Sequence, residues 1–176
     1  EASDAPGTNI DPQAIEKAAK LLDGAEFPVI YIGGGAMDAG ADILALAERM
    51  GAAVIASDNG RGAIPDSAPL SFTSLAGRPL FSRADVVLVI GSRFMDIMTP
   101  EPNWPQDSAV EIEADAAIGA RALAEAVSPR TVLDAATATR IKRWAQDQIE
   151  ATGTLWHYVK ALRDALPDDG IFVNEL

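Results

Sequence analysis

The chain has 176 residues, room for one domain with part of a second, and its 26 acidic against 14 basic side chains leave a net charge of −12. That charge argues against nucleic acid and anionic membrane surfaces as partners, and no apolar run approaches the ~20 residues of a membrane span. Cysteine is absent, which excludes disulfides and thiolate chemistry. Hydrophobic residues make up 48% of the chain but aromatics only 6%, a balance that favours tight helix-on-sheet layers of small aliphatics. The first residues lack the basic and apolar regions of a secretory leader, so a cytoplasmic location is expected. The chain starts at Glu1 rather than at a methionine, as an excised piece would.

Residues 1–9 are small and polar with a proline and a glycine, and read as a linker. Asp11 and Pro12 mark a helix start, an aspartate N-cap before a proline at the first helical position. Ile15, Ala19 and Leu22 follow at helical spacing, and the helix is expected to stop near Gly24. Residues 27–32 are apolar and β-branched, which predicts a central parallel strand buried on both faces. Gly33, Gly34 and Gly35 come directly after it. Residues 38–50 read as a helix with Ile43, Leu44, Ala47 and Met50 inward and Gly51 as its stop. A second strand is expected at 53–56, followed by a polar, turn-rich stretch at 57–66. Residues 84–90 read as the next strand, with Gly91, Ser92 and Arg93 leaving its carboxyl end. A loop with three prolines at 99–107 precedes another expected strand at 109–114. Helices are expected at 120–127, 134–151 and 154–166, and a last short strand at 171–173.

Strands alternate with helices over the first ~115 residues, which argues for βαβ units. The expected fold is α/β: a single domain with a Rossmann-like parallel sheet flanked by helices. Ligands of such sheets bind at the carboxyl ends of the strands, and several suggestive residues fall there. The turn at Gly33, Gly34 and Gly35 lets a diphosphate approach bare amides at a helix start, or it is a tight strand-to-helix turn. It is not the G-x-G-x-x-G fingerprint, because Asp38 holds the third position. Asp58 reads either as a ribose-binding acid or as a turn residue in Asp-Asn-Gly. Arg93 is placed to pin a phosphate or stack on a flat ring, or to pair with Asp96. Glu113, at a strand end, could accept ribose hydrogen bonds or simply face solvent. His157 is the sole histidine and has no neighbouring nucleophile, so no triad is expected. Without a second histidine or a cysteine, neither is a zinc site. Asp168 and Asp169 read as a solvated turn before Gly170. No catalytic and no metal-binding residue is expected in this chain.

Four blocks carry a family resemblance: Pro-Val-Ile-Tyr-Ile-Gly-Gly-Gly-Ala at 28–36, Ala-Glu-Arg-Met-Gly-Ala-Ala-Val-Ile-Ala at 47–56, Asn-Gly-Arg-Gly-Ala-Ile-Pro-Asp at 59–66 and Ala-Asp-Val-Val-Leu-Val-Ile-Gly-Ser-Arg-Phe at 84–94. In order and spacing, over about residues 10–119, they resemble the central domain of thiamine-diphosphate-dependent enzymes, most closely the acetolactate synthase-like group. The resemblance implies a parent enzyme that decarboxylates 2-oxo acids with carboligation, using thiamine diphosphate and Mg²⁺ held by two other domains. It implies that residues 1–9 leave a pyrimidine-binding domain, that 10–151 form a six-stranded Rossmann-like central domain, and that 152–176 are a linker helix and the start of a diphosphate-binding domain. The partners implied are those domains, the 2-oxo acid and further copies in a homo-oligomer; the fragment alone is expected to be inactive. FAD or ADP is the implied ligand of the central domain. Gly33, Gly34 and Gly35 would face its diphosphate, Arg93 would lie beside it and Glu113 would reach the ribose. A free-standing FAD- or NAD-binding module and a purely structural domain are the alternatives. The chain departs from the family in three places. Met95, Asp96 and Ile97 stand where FAD-binding members have Asp-Asp-Arg. Glu113, Ala114, Asp115 and Ala116 replace Asp-x-Asp-Pro. Gly119 runs straight into Ala120, where the family has a loop and a sixth strand.

Overall fold

The computed structural model describes residues 10–93, 110–167 and 169–173. The elements in chain order are α1 (Pro12–Gly24), β1 (Pro28–Ile32), a 3-10 turn (Gly34–Ala39), α2 (Gly40–Met50), β2 (Ala53–Ala56), a short 3-10 turn (Asp58–Gly60), β3 (Ser71–Phe72), α3 (Ser74–Phe81), β4 (Val86–Ile90), α4 (Ala116–Ala126), α5 (Ala135–Glu150) and α6 (Thr154–Ala165).

The strands form one parallel sheet in the order β3-β2-β1-β4. β1 is central: Ile30 lies opposite Val54 of β2 on one side and Leu88 of β4 on the other. Every residue of β1 and β2 is buried, so both faces of the sheet are covered. This is why those segments read as continuous apolar runs rather than alternating ones. The helices fall into two groups, with α1, α2 and α4 packed together and α3 against α5. Asp85 joins the amino ends of the central strands, its carboxylate accepting from the amides of Glu26 at 2.6 Å and Phe27 at 2.9 Å.

Local chemistry sets the helix ends. The Asp11 carboxylate accepts from the Gln13 amide at 2.9 Å, and Pro12 opens α1 where no amide donor is needed. α2 stops at Gly51, whose φ of 61° is left-handed. A side chain there would also strike the connection from α4 to α5, since a Cβ on Gly51 would sit 2.5 Å from the Val132 nitrogen. That connection crosses the carboxyl ends of α1 and α2: the Leu133 amide donates to the Gly51 carbonyl at 2.8 Å and the Arg130 amide to the Arg49 carbonyl at 2.8 Å.

Several expectations need correction. The glycine triplet leads into a 3-10 turn, and α2 begins only at Gly40. Its buried stripe is Ile43, Leu46, Ala47 and Met50, with Leu46 in place of the half-buried Leu44. β3 and α3 went unrecognised: a two-residue strand is too short to show periodicity, and α3 contains Pro79. Residues 110–114 are not a strand, and neither are 171–173. Both have suitable side chains, but among the described residues no neighbouring strand supplies a hydrogen-bond ladder. The described residues therefore hold four strands where six were implied.

Candidate functional site: the cleft at the sheet's switch point

From β1 the chain runs outward to β2 and β3, then returns to place β4 on the other side of β1. The reversal leaves a crevice at the carboxyl ends of β1 and β4, the general location of ligand sites in open parallel sheets. The loops from these two strands meet backbone to backbone. The Gly33 amide donates to the Ile90 carbonyl at 3.0 Å, and the Gly35 amide to the Gly91 carbonyl at 2.9 Å. A Cβ on Gly33 would lie 2.5 Å from the Gly91 oxygen, and one on Gly91, itself at φ +61°, would lie 2.4 Å from the Gly35 carbonyl carbon. Gly60, beyond β2, presses on the same place, with an added Cβ 2.5 Å from the Ile32 oxygen. These glycines let three loops close on one another. Two amides of the triplet are occupied in doing so.

Beside this lock lies a cleft of about 290 Å³ between β4 and the start of α4. Leu88 and Ile90 line it from the strand, Gly35 and Gly91 from the loops, and Ile112 and Ala114 from the opposite side. The Asp115 carboxylate sits at its α4 end and accepts from the amides of Ala117 at 3.0 Å and Ile118 at 3.3 Å. The positive end of α4 is thus already satisfied by a carboxylate.

The sequence-predicted residues divide around this cleft. Gly35 lines it, and Gly33 is bonded beneath it to Ile90. Gly34 lies next to Asn59, which an added Cβ would meet at 3.5 Å. Arg93, two residues past Gly91, and Glu113, between Ile112 and Ala114, are both exposed. Asp58 is exposed in its 3-10 turn, where the Ser57 hydroxyl accepts from the Gly60 amide at 3.2 Å. Asp96, the alternative partner of Arg93, lies outside the described residues, as does Asp168. Of the described residues flanking it, the Gly170 amide donates to the Pro167 carbonyl at 2.9 Å. His157 is exposed on α6.

Two residues that the sequence did not single out tie the domain together. The Arg130 guanidinium donates to the carbonyls of Leu22, Asp23 and Ala25 at the end of α1. The Lys142 ammonium reaches from α5 to the carbonyls of Asp66 at 2.9 Å and Ala68 at 2.6 Å. Partial burial lowers the Lys142 pKa, and the Asp66 charge opposes the shift. Neither residue belongs to a motif, because their partners are backbone carbonyls remote in sequence.

A family model described as "Thiamine pyrophosphate enzyme, central domain" matches residues 15–135, more than half of the chain. The chain belongs to this family. Among curated relatives, sulfoacetaldehyde acetyltransferase of Rhodobacter capsulatus is 40% identical over 119 residues, covering 61% of this chain and 20% of the relative. Acetolactate synthase of Mycobacterium bovis is 32% identical over 118 residues, covering 62% of this chain and 19% of the relative. The matched part of this thiamine pyrophosphate-family domain therefore spans about one-fifth of those relatives' length. A solved structure from Mycobacterium smegmatis, assigned as a thiamin diphosphate-dependent enzyme, superposes with a TM-score of 0.58 at 20% identity. The superposition covers 73% of this chain and 30% of that one, and supports the α/β fold. Among the described residues, no helix is long and apolar enough to cross a membrane.

Proposed function

We propose that this domain belongs to a thiamine-diphosphate-dependent enzyme that decarboxylates 2-oxo acids with carboligation, as an acetolactate synthase does. The match of residues 15–135 to the family's central domain carries this reading. On it, residues 1–9 lead from a pyrimidine-binding domain, and 152–176 form a linker helix and the start of a diphosphate-binding domain. Those two domains hold thiamine diphosphate and Mg²⁺, which supply the carbanion chemistry. No acid or histidine of this chain has a part in holding them. The partners are those domains, the substrate and further copies of the enzyme in a cytoplasmic homo-oligomer. The 40% identity to a sulfoacetaldehyde acetyltransferase favours a second reading, in which the parent's substrate is sulfoacetaldehyde and its reaction acetyl transfer.

Within the domain, the switch-point cleft is the site for an adenine nucleotide. Its volume of about 290 Å³ lies at the low end for ligand pockets, which suits ADP better than the longer FAD. Because the amides of Gly33 and Gly35 are occupied, Gly34 and Arg93, which flank the cleft rather than line it, are left for the diphosphate, with Glu113 on the ribose side.

Thermal-shift and calorimetric titrations with ADP, FAD and NAD test the site. ADP should bind and raise Tm, and Arg93→Ala should weaken it about tenfold, the loss of one charge-assisted contact. No shift with any of the three would leave a structural domain without a nucleotide. The chain supplied with thiamine diphosphate, Mg²⁺ and pyruvate should show no turnover; turnover would overturn the assignment of the chemistry to other domains.

A further inference from the structure

A second concavity, of about 330 Å³, lies on the other side of the domain, between α3 and α5. Thr137, Arg140, Ile141 and Trp144 line it from α5, at spacings of three and four that put them on one helix face. Pro79, Leu80 and Arg83 face them from α3 and the residues just after it.

Three observations mark this groove as more than a packing seam. Trp144 leaves 41% of its surface exposed in a chain with only 6% aromatics. Among the described residues, neither Arg83 nor Arg140 makes an ion pair. This holds although acids outnumber bases 26 to 14. Both guanidiniums are nevertheless anchored, Arg83 over the Phe27 ring at 4.2 Å and Arg140 by a 2.9 Å bond to the Thr137 hydroxyl. The Asp134 carboxylate, at the start of α5, is turned to the Thr137 amide and hydroxyl, each at 2.8 Å.

We propose that the groove between α3 and α5 binds a small anion with a flat apolar ring, of the aryl carboxylate or aryl sulfonate class. The ring lies against Trp144, Ile141 and Pro79, and the anionic group engages Arg83 and Arg140. A guanidinium suits this task because it donates in a plane to carboxylate or sulfonate oxygens and stays charged. The acidic remainder of the surface turns such anions away, so the groove is selective by contrast.

The test compares 1-anilinonaphthalene-8-sulfonate with its uncharged analogue N-phenyl-1-naphthylamine. Binding is read from the Trp144 indole N–H resonance, assigned with Trp144→Phe. The sulfonate should shift that resonance with saturable one-site behaviour, and Arg140→Gln should weaken it about tenfold. The uncharged analogue should bind more weakly and be indifferent to Arg140→Gln. Arg83→Gln should match Arg140→Gln; if loss of its Phe27 contact unfolds the protein, Arg140→Gln alone decides. Equal binding of both probes, unchanged affinity in Arg140→Gln, or shifts confined to the exposed apolar face of α6 would overturn the proposal.

Discussion

Arg130 closes the carboxyl end of α1 together with the Ala25 amide, which donates to the Leu22 carbonyl at 3.3 Å. Helices leave their last carbonyls without partners, and here one guanidinium takes three carbonyls in that stretch, Leu22, Asp23 and Ala25. Its Nε is buried with no partner among the described residues, so the side chain is held by its two terminal nitrogens. Replacing it with methionine keeps most of the packing and removes the donors. Arg130→Met should lower the unfolding free energy by about 2–4 kcal/mol, measured by urea denaturation. Gly91 is the other residue on which local structure turns. Its φ of 61° alone costs an L-residue about 1–2 kcal/mol, and the Gly35 backbone 2.4 Å away adds a clash. Gly91→Ala should therefore destabilise by about 3 kcal/mol or more; a loss under about 0.5 kcal/mol would mean that the two loops do not meet as described.

Among the elements, α5 shows how a cap becomes a pH dependence. The Asp134 carboxylate accepts from the Thr137 amide and hydroxyl, and these bonds hold its pKa below the ordinary carboxylate value, with Arg140 adding a smaller push. A depressed folded-state pKa contributes stability above the unfolded value and loses it as pH falls through the folded one. Asp134→Asn should thus flatten the fall in Tm below about pH 4 and change its slope little near pH 7; an unaltered acid limb would rule out this cap as its source. Elements were legible where a cap or a long periodic run announced them, as with Asp11 before α1 and the apolar run of β1. α3 was hidden by Gly77 and Pro79, both poor helix residues. Gly77 is nonetheless required, because a Cβ there would meet the Ile55 side chain at 2.6 Å where α3 lies on the sheet.

For the molecule as a whole, the apolar surface left uncovered is concentrated at the carboxyl-terminal side. α6 has no buried residue, and Leu155, Tyr158, Val159 and Leu162 repeat at helical spacing with over half of each side exposed. Ile171, Phe172 and Val173 are similarly exposed. Isolated exposed hydrophobics are ordinary, but a contiguous stripe is a contact surface. Since none of the stripe is buried among the described residues, it adds little to the domain's stability. The triple substitution Leu155→Gln, Val159→Gln and Leu162→Gln should leave Tm within about 2 °C of the parent in thermal denaturation, a surface-sized change. A large fall in Tm would show instead that α6 is part of the domain's core.

The class of fold, the central buried strands, most helix positions and the thiamine-enzyme family are all written in short-range patterns of the chain. Apolar runs, caps and turn glycines are local signals, and each acts within a few residues. Tertiary structure alone decided what those glycines do. The turn of Gly33 and Gly35, Gly60 and Gly91 lie on three loops far apart in sequence, and only the parallel order that seats β2 and β4 on either side of β1 brings those loops into backbone contact. It likewise left residues 110–114 without a ladder among the described residues, because a strand exists only with a partner. The reach of Arg130 to α1 and the meeting of Arg83, Arg140 and Trp144 have the same origin: contacts between distant parts of the chain leave no periodic trace along it.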